Sequence, residues 1–281
     1  MAPFSITIIT PCRNAGRLLV ETIDSLRGQS AVQSGSVDLQ HVVMDGASTD
    51  DTRDVVARFP EIEFESKPDS GMYDALAGGL LRARGDVIGY LNAGDILHPR
   101  ALDVLAEVFA NPGVDWVTGY STQINDRLQL TSACRPARYR REFVGNGFYA
   151  DDRYPSCIQQ ESTFWSKRLS QSVNLERLRT FKLAGDFFLW TEFARMSELH
   201  SINTLLGAFR IHRGQLSENM ADYRREVERV IRPPTRKERF TAWWETRCNP
   251  AWRGALWKFT LGQSPARIFD FNHREQRWEP K

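Results

Sequence analysis

Acidic and amide side chains directly follow three apolar runs in this 281-residue sequence. Residues 11–14 read Pro-Cys-Arg-Asn, Asp45 is followed by Gly46, and residues 92–95 read Asn-Ala-Gly-Asp. Carboxylates just beyond strand ends can hold a divalent cation, which bridges them to the phosphates of a nucleotide. Asp95 is the strongest candidate for such a ligand, with the alternative that it caps a helix beginning near Pro99.

The common phosphate-binding loops are absent from the sequence. A dinucleotide site would need GxGxxG after the first apolar run, where residues 11–16 read Pro-Cys-Arg-Asn-Ala-Gly, and no GxxxxGK[ST] occurs. Any bound phosphates must therefore be held in another way, which again favours a divalent cation.

The segments around these turns alternate between strand and helix patterns. Strands are predicted at residues 5–10, 40–44, 62–65, 86–91 and 114–120, and helices at 17–27, from caps at 48–51 to 59, at 72–84 and at 99–109. The first strand is expected to stop at Pro11. This order predicts an α/β fold with a mostly parallel sheet and helices on both faces. Ligands of such sheets bind beyond the carboxyl ends of the strands, so the three polar turns should converge on one edge.

Composition limits the class of protein further. The chain is 41% hydrophobic and 26% charged, which is typical of a folded globular protein. We see no apolar run long enough to span a bilayer and no secretory signal at the N-terminus, so we expect a cytoplasmic protein. The cysteines are widely spaced and indicate neither a disulfide framework nor a zinc site (Cys12, Cys134, Cys157, Cys248).

The C-terminal part of the chain differs in charge from the rest. Residues 224–281 contain 14 Lys and Arg against 7 Asp and Glu, a net charge of +7, and the preceding residues have a net charge of −5. Five of the eight tryptophans lie in this segment: Trp243, Trp244, Trp252, Trp257 and Trp278. Such a segment suits peripheral contact with anionic lipids, or it packs on the body of the protein or on a second subunit of a homodimer. Nucleic acid is the weakest alternative, because no recognised binding module accompanies the charge.

Several motifs together resemble glycosyltransferase family 2. They read IITPCRN (8–14), MDGASTD (44–50), DSGMYDA (69–75), GDVIGYLNAGD (85–95), QQESTFW (159–165), AGDFFLW (184–190) and FRIH (209–212), so the resemblance covers roughly residues 5–220. It implies a GT-A fold that uses nucleotide-sugar donors. We therefore expect a glycosyltransferase domain at 1–222, with a donor half at about 1–120 and an acceptor half at about 121–222. Residues 223–281 would form a helical, basic, Trp-rich extension.

The resemblance also implies roles for individual residues toward the donor. The expected donor-binding residues are Thr10, Pro11, Asn14, Asp45, Asp69, Asp74, Asn92, Ala93 and Gly94. Thr10, Pro11 and Asn14 would line the base and ribose, and Asp45 would accept a hydrogen bond from them. Asp45 could instead be a helix-capping aspartate in a turn, and Asp74 could be an ordinary acid in the first turn of a helix.

Asp95 stands where the metal-binding aspartate of the family's DxD-type motif ends. The family motif often carries two acids, but here Asn92 and Gly94 stand where acids can occur. His212 is therefore expected as a second ligand of Mn²⁺ or Mg²⁺, with a surface or packed histidine as the alternative.

Asp186 is the expected general base of an inverting transfer. It matches the acid of the family's xED motif, although Gly185 replaces the preceding acid, and the apolar residues that follow could raise its pKa. Its alternative role is that of a helix N-cap. Glu161 and Trp190 are expected to contact the acceptor, although Glu161 could instead pair with an arginine.

The sequence therefore predicts a family-2 glycosyltransferase with UDP as the leaving group. The acceptor would be a saccharide or lipid-linked molecule of cell-surface polysaccharide or glycolipid synthesis. Two alternatives stay open. A sugar-nucleotidyltransferase would need a Gly-rich first turn with Arg or Lys. A non-catalytic nucleotide-sugar-binding subunit is compatible with a metal motif that has fewer acidic residues.

Overall fold

The computed structural model describes residues 3–150, 157–212, 215, 219–247 and 260–281. The strands are β1 (Phe4–Cys12), β2 (Val37–Asp45), β3 (Glu63–Ser66), β4 (Val87–Tyr90), β5 (Ile96–Leu97), β6 (Trp116–Thr118), β7 (Ser121–Ile124), β8 (Leu130–Cys134), β9 (Thr163–Ser166), β10 (His200–Ile202), β11 (Gly207–Arg210), β12 (Ile268–Asn272) and β13 (Arg277–Pro280). The helices are α1 (Gly16–Arg27), α2 (Ser30–Gln33), α3 (Thr52–Val56), α4 (Met72–Arg82), α5 (Ala101–Phe109), α6 (Arg141–Gly145), α7 (Lys167–Ser170), α8 (Leu175–Leu178), α9 (Gly185–Ala194), α10 (Met220–Glu228) and α11 (Arg236–Arg247), with a 3₁₀ turn at Gln160–Ser162.

A large twisted sheet with the strand order β13-β12-β10-β6-β9-β4-β1-β2-β3 forms the centre of the molecule. Strands β3, β2, β1 and β4 are parallel to one another, as are β6, β10 and β12. Strand β9 runs antiparallel between β4 and β6, and β13 runs antiparallel at the edge. The predicted mostly parallel sheet is confirmed. A smaller sheet has the order β5-β11-β7-β8.

Both faces of the large sheet are covered, as the apolar runs predicted. Neighbouring residues of β1 point to opposite faces, so Ile8 and Ile9 belong to different hydrophobic clusters. Ile9 shares its cluster with Leu76 of α4, and Ile8 shares the other with Leu105 of α5. The strands are thus buried on both sides, which explains why they read as continuous apolar runs.

Strand β1 continues through Pro11 to Cys12, so the prediction that it stops at Pro11 is wrong. The carbonyl of Ile9 accepts the Leu91 amide, and the pairing of β1 with β4 ends at Ile9. The backbone groups of residues two apart in a strand point to the same side. The backbone nitrogen of Pro11 therefore points, like the carbonyl of Ile9, toward β4, but β4 has already ended there. Its missing N–H therefore breaks no ladder bond, and β1 still pairs with β2 there.

Other boundaries differ from the predictions in length. The helix expected to reach residue 59 ends at Val56, and the strand expected at 114–120 forms only over Trp116–Thr118. Of the cysteines, Cys12, Cys134 and Cys157 are not in disulfide bonds, while Cys248 lies outside the described residues. No helix in the described part of the chain is long and apolar enough to cross a membrane.

The described residues of the C-terminal segment form helices in its first part and strands at its end. Residues 268–280 form β12 and β13, and β12 pairs in parallel with β10 of the large sheet. Trp244 is buried and Trp278 packs on Phe271 with ring centroids 5.6 Å apart, whereas Trp243 is 47% exposed. Trp252 and Trp257 lie outside the described residues. The described tail therefore packs on the body, and its contact with a membrane or a second subunit stays a prediction.

Candidate functional site

The topology brings the predicted site residues to one edge of the large sheet. Strands β1, β2, β3 and β4 are parallel, so the turns that follow them lie side by side beyond their carboxyl ends. These turns contain Asn14, Asp45, Asp69 and Asp95. Strand β9 is antiparallel to β4 and therefore begins where β4 ends, which places Glu161, two residues before β9, at the same edge.

The turns after β1 and β2 are joined by Asn14. Its side-chain oxygen Oδ1 accepts a hydrogen bond from the Thr49 backbone amide at 2.8 Å. Its backbone amide donates to the Ser48 hydroxyl at 2.7 Å. Asn14 has a φ of 50°, in the left-handed region that asparagine tolerates better than most residues. Asn14 is thus exposed at the edge, and its amide side chain also fixes the turn.

Asp45 is buried and its carboxylate is fully engaged within the turn. It accepts hydrogen bonds from the Ser48 amide at 3.0 Å, from the Ser48 hydroxyl and from the Ser66 hydroxyl at 2.6 Å. Asp45 thus stabilises the turn after β2, and the alternative that it caps a helix is not observed, because α3 begins at Thr52 with Asp51 as its N-cap. A direct bond from Asp45 to a nucleotide stays a prediction.

The Thr10 side chain does not face the edge, contrary to the predicted contact with a base or ribose. Thr10 is fully buried and its hydroxyl lies 2.9 Å from His41 Nε2. Burial lowers the pKa of His41 to about 4, so this pair is neutral at pH 7. The reason is that both faces of β1 are covered, so its side chains point into the protein on either face.

Asp69 and Asp74 lie in the loop and first turn that begin α4. Asp69 accepts the Gly71 amide at 2.9 Å, and burial raises the pKa of its carboxyl while the nearby Arg13 lowers it. Asp74 accepts the Ser70 amide at 3.0 Å and forms an ion pair with Arg179. Asp74 thus joins this loop to the segment before α9, whatever its contact with a donor.

Asp95 is 3% exposed and is held between the turn after β4 and the end of β11. Its carboxylate accepts the Arg210 amide at 3.0 Å and lies 3.2 Å from Nε2 of Gln160. Burial raises its pKa, partly opposed by the Arg210 and Asn92 hydrogen bonds. Helix α5 begins at Ala101 without a side-chain cap, so the alternative that Asp95 caps this helix is not observed.

The turn after β4 explains why the two-acid pattern is not present. Gly94 has a φ of 105°, a conformation that disfavours any residue with a Cβ, and its carbonyl accepts Nε of Arg210 at 2.9 Å. The Arg210 guanidinium also forms an ion pair with Glu21. An acid at position 94 would be strained, so glycine here is required by the turn.

His212 follows β11 by two residues, so it lies close in the chain to the Arg210 amide that binds Asp95. It is half-buried, and its amide donates to Gln215 Oε1 at 3.0 Å. No group of three or more His, Cys, Asp or Glu side chains within the described ranges is arranged to hold a metal. The role of His212 as a ligand therefore stays a prediction.

The oxygens around Asp95 nevertheless fit a divalent cation. The buried side-chain oxygens Oδ1 of Asn92 and Oε1 of Gln160 have no hydrogen-bond partner among the described residues. Unpartnered buried oxygens cost free energy, and carboxylate and amide oxygens are the ligands that Mg²⁺ and Mn²⁺ prefer. Both amides direct their N–H groups to Asp95, so their oxygens would face a cation beside Asp95 only with the side-chain amides turned over.

Asp186 lies in the first turn of α9, one residue after the helix begins, and Ala184 is the N-cap. Its carboxylate accepts the Phe187 amide at 2.7 Å and lies 3.4 Å from the Tyr73 hydroxyl. Burial raises its pKa to about 6, against the lowering effect of these two hydrogen bonds. A carboxylate with a pKa near neutrality is suited to general base catalysis.

Glu161 is buried and pairs with no arginine among the described residues, and its contact with the acceptor stays a prediction. It is 1% exposed, and neither carboxylate oxygen has a hydrogen-bond partner among the described residues. Burial raises its pKa well above the usual range, and the charges of Asp95 and Asp186 raise it further. Glu161 therefore lies within electrostatic reach of both the metal candidate and the base candidate.

Trp190 is a core residue, so the expected acceptor contact is not present. Its ring is fully buried and stacks on Trp116 with centroids 5.7 Å apart, and its edge meets Trp165 at the same distance. Trp190 is one helical turn beyond Asp186, but nearly all of α9 is buried, so this turn packs on the sheet.

Three residues that contribute to the site were not identified from the sequence. Tyr73 contacts Asp186, Gln160 contacts Asp95, and Glu226 of α10 accepts the amides of residues 182–184 just before α9. Tyr73 and Gln160 lie inside recognised motifs, so their polar side chains were a usable signal. No local sequence signal indicated Glu226, because its contact depends on how the C-terminal segment packs against residues 182–184.

Comparison with known proteins agrees with this fold. The sequence model described as glycosyl transferase family 2 matches residues 7–163. Chondroitin synthase of Escherichia coli is 27% identical over 148 residues, which are 46% of this chain and 21% of that protein. The chain spans less than half the length of the curated relatives it matches.

Two solved structures share the fold. Residues 1–349 of Staphylococcus aureus TarS, in complex with UDP-GlcNAc, align with a TM-score of 0.60 at 12% identity, covering 91% of this chain and 80% of that one. A mannosyltransferase from Pyrobaculum calidifontis, in complex with GDP-Man and Mn²⁺, aligns with a TM-score of 0.56 at 19% identity, covering 82% and 65%. These likenesses define the α/β architecture as a GT-A fold. Because the family model covers more than half of the sequence, the chain belongs to glycosyltransferase family 2.

Proposed function

We propose that this protein is an inverting glycosyltransferase. It transfers a sugar from a nucleotide-sugar, with UDP as the nucleotide, to a hydroxyl of a saccharide or lipid-linked acceptor. The expected products are cell-surface polysaccharides or glycolipids assembled on the cytoplasmic side. Family membership and the nucleotide-sugar complexes of the two solved structures support the reaction class.

The observation that carries the proposal is the position of Asp186. Its half-buried carboxylate lies at the edge that also holds Asp95, with a pKa raised by burial to about 6. At neutral pH it is ionised, yet basic enough to accept a proton from an acceptor hydroxyl. The hydrogen bond from the Phe187 amide fixes the orientation of the carboxylate.

The residues divide the chemistry between two groups. Asp186 accepts the proton of the acceptor hydroxyl as its oxygen attacks the anomeric carbon, on the face opposite the leaving nucleoside diphosphate. The turns that hold Asn14, Asp69 and Gly94 form the surface on which the donor lies. Inversion follows from a single displacement of this kind.

A divalent cation, Mn²⁺ or Mg²⁺, would be held by Asp95 with the amide oxygens of Asn92 and Gln160, and by His212. When bound, it supplies positive charge that neutralises the diphosphate as it leaves. The Mn²⁺ in the Pyrobaculum calidifontis complex supports this choice. The donor contacts of Pro11, Asn14, Asp45, Asp69, Asp74, Asn92, Ala93 and Gly94 remain part of the proposal.

The test is a screen of UDP-, GDP- and dTDP-sugars by thermal shift with and without Mn²⁺, followed by measurement of nucleoside diphosphate release. A metal-dependent stabilisation by UDP-sugars and slow UDP release are expected, with release lost in Asp186→Asn and binding retained. Binding without any release, over a range of saccharide acceptors, would instead identify a non-catalytic binding subunit. Release of pyrophosphate from UTP and a sugar phosphate would identify a nucleotidyltransferase.

A further inference from the structure

Helix α10 contacts the backbone that leads directly into Asp186. Glu226 of α10 accepts the Lys182 amide at 3.0 Å, the Leu183 amide at 2.9 Å and the Ala184 amide at 2.9 Å. Three successive amides thus converge on one carboxylate, an arrangement typical of backbone sites that bind an anion. Here the protein supplies its own anion from a segment 42–44 residues further along the chain.

The same short segment is connected to the Asp186 side chain. Leu183 donates its amide to Glu226, and its carbonyl accepts the Tyr73 hydroxyl at 2.9 Å. That hydroxyl also lies 3.4 Å from the Asp186 carboxylate. Glu226, Leu183, Tyr73 and Asp186 therefore form a continuous series of contacts. A displacement of residues 182–184 would move both the start of α9 and the hydroxyl beside the base.

The neighbouring contacts hold this segment at its sides but not at these amides. Arg179 pairs with Asp74, Lys182 donates a hydrogen bond from its ammonium group to the Ser70 carbonyl, and Arg229, which directly follows α10, lies over the Phe181 ring at 5.0 Å. Among the described residues, Glu226 is thus the contact to the amides of this segment, Tyr73 binds the Leu183 carbonyl, and the others fix side chains.

We propose that Glu226 is a positioning residue for Asp186, which holds the backbone of residues 182–184 so that the carboxylate of the base is correctly placed for the acceptor. This inference rests on the proposed function, because it takes Asp186 as the base. It makes the C-terminal segment part of the catalytic centre.

Four titratable side chains face Asp186 from the elements packed around it: Tyr73 of α4, Tyr90 of β4, Glu161 of the 3₁₀ turn and Glu226 of α10. Burial is the largest cause of the raised pKa of Asp186, and the charge of Glu226 raises it further. Removal of that charge should therefore lower the pKa of Asp186 and move the acid limb of the rate profile to lower pH.

The variants are Glu226→Ala and Glu226→Gln, with Glu228→Gln as the matched control because Glu228 is exposed on the same helix. Turnover of UDP-GlcNAc, or of the UDP-sugar found in the screen, is measured well below the unfolding temperature.

Glu226→Ala should lower kcat by about 10- to 100-fold with donor KM little changed, because a misplaced base slows the chemical step without weakening donor binding. Glu226→Gln should recover part of kcat, since its amide oxygen still accepts amides, and its acid limb should lie at lower pH. Glu228→Gln should resemble the wild type.

A double-mutant cycle tests the same link without turnover. The change in stability caused by Asp186→Asn between pH 5 and pH 8 should be smaller in the Glu226→Gln background, because the two carboxylates are coupled. Normal kcat in a folded Glu226→Ala protein, or additive behaviour in the cycle, would overturn the inference. Normal turnover in Asp186→Asn would instead overturn the proposed base, and the two failures are thereby distinguished.

Discussion

Replacement of Asp186 by asparagine should stabilise the protein at alkaline pH while it removes activity. The pKa of Asp186 is raised from 3.8 to about 6, chiefly by burial, so the folded state prefers the protonated carboxyl. The stabilising contribution of this group is therefore complete below about pH 4 and is lost as the pH rises through about 6. Asparagine cannot ionise and carries no such cost.

The magnitude follows from the shift of about two pKa units. At about 1.4 kcal/mol per unit, ionisation of Asp186 costs about 3 kcal/mol of unfolding free energy at pH 8 and about half of that at pH 5. Because the side chain is only half-buried, solvent screening reduces these values. We expect the stability advantage of Asp186→Asn over the wild type to grow by about 1 kcal/mol between pH 5 and pH 8.

The assay is urea unfolding of both proteins at pH 5 and pH 8, alongside turnover of the UDP-sugar. Asp126→Asn is the matched control, since Asp126 is an exposed carboxylate in the turn between β7 and β8. Turnover should fall by about 100-fold or more in Asp186→Asn only. An advantage that is the same at both pH values would refute the raised pKa, and unchanged turnover would refute the role as base.

The remaining predictions concern the metal, the turn before the base and the tail. Asp95→Asn should keep the hydrogen bond from the Arg210 amide and the fold, but lose the Mn²⁺-dependent part of the thermal stabilisation by UDP; an unchanged metal effect would remove Asp95 from the site. Gly185→Ala should lower the unfolding midpoint and the turnover together, because a Cβ would overlap the Tyr73 ring, and a normal midpoint by calorimetry would contradict this packing. Trp243→Ala should weaken co-sedimentation with anionic vesicles at low salt, since Trp243 is the exposed tryptophan on the basic face of α11; failure of the wild type to bind such vesicles would refute the membrane contact.

Sequence patterns predicted the donor-side edge well because its order is local. Each of the first four strands of the sheet ends in a polar turn a few residues away, so the parallel arrangement alone brings Asn14, Asp45, Asp69 and Asp95 together. Which way each side chain points was less predictable. Thr10 and Asp45 are polar residues whose side chains form hydrogen bonds inside the protein, with His41 and Ser48 respectively.

The acceptor side depends on contacts between distant parts of the chain. Glu161 reaches the edge only because β9 runs antiparallel to β4, and no local pattern fixes the direction of so short a strand. Trp190 has the spacing of a residue on the face of Asp186, but α9 is buried nearly all round, which periodicity cannot reveal. The tail residues 268–280 read as a basic extension, yet β12 completes the large sheet.

The carboxyl groups at the edge determine how a cation and a nucleoside diphosphate would bind there. Asp95 and Asp186 both lie within electrostatic reach of Glu161, and burial raises the pKa of all three carboxyl groups. The neighbouring arginine, Arg210, is already paired with Glu21 and directed to the Gly94 carbonyl. Burial raises the pKa of both Asp95 and Glu161, so it favours their neutral forms in the protein without a cation. A divalent cation beside Asp95 would favour the ionised carboxylate, and its positive charge would also favour a nucleoside diphosphate at this edge.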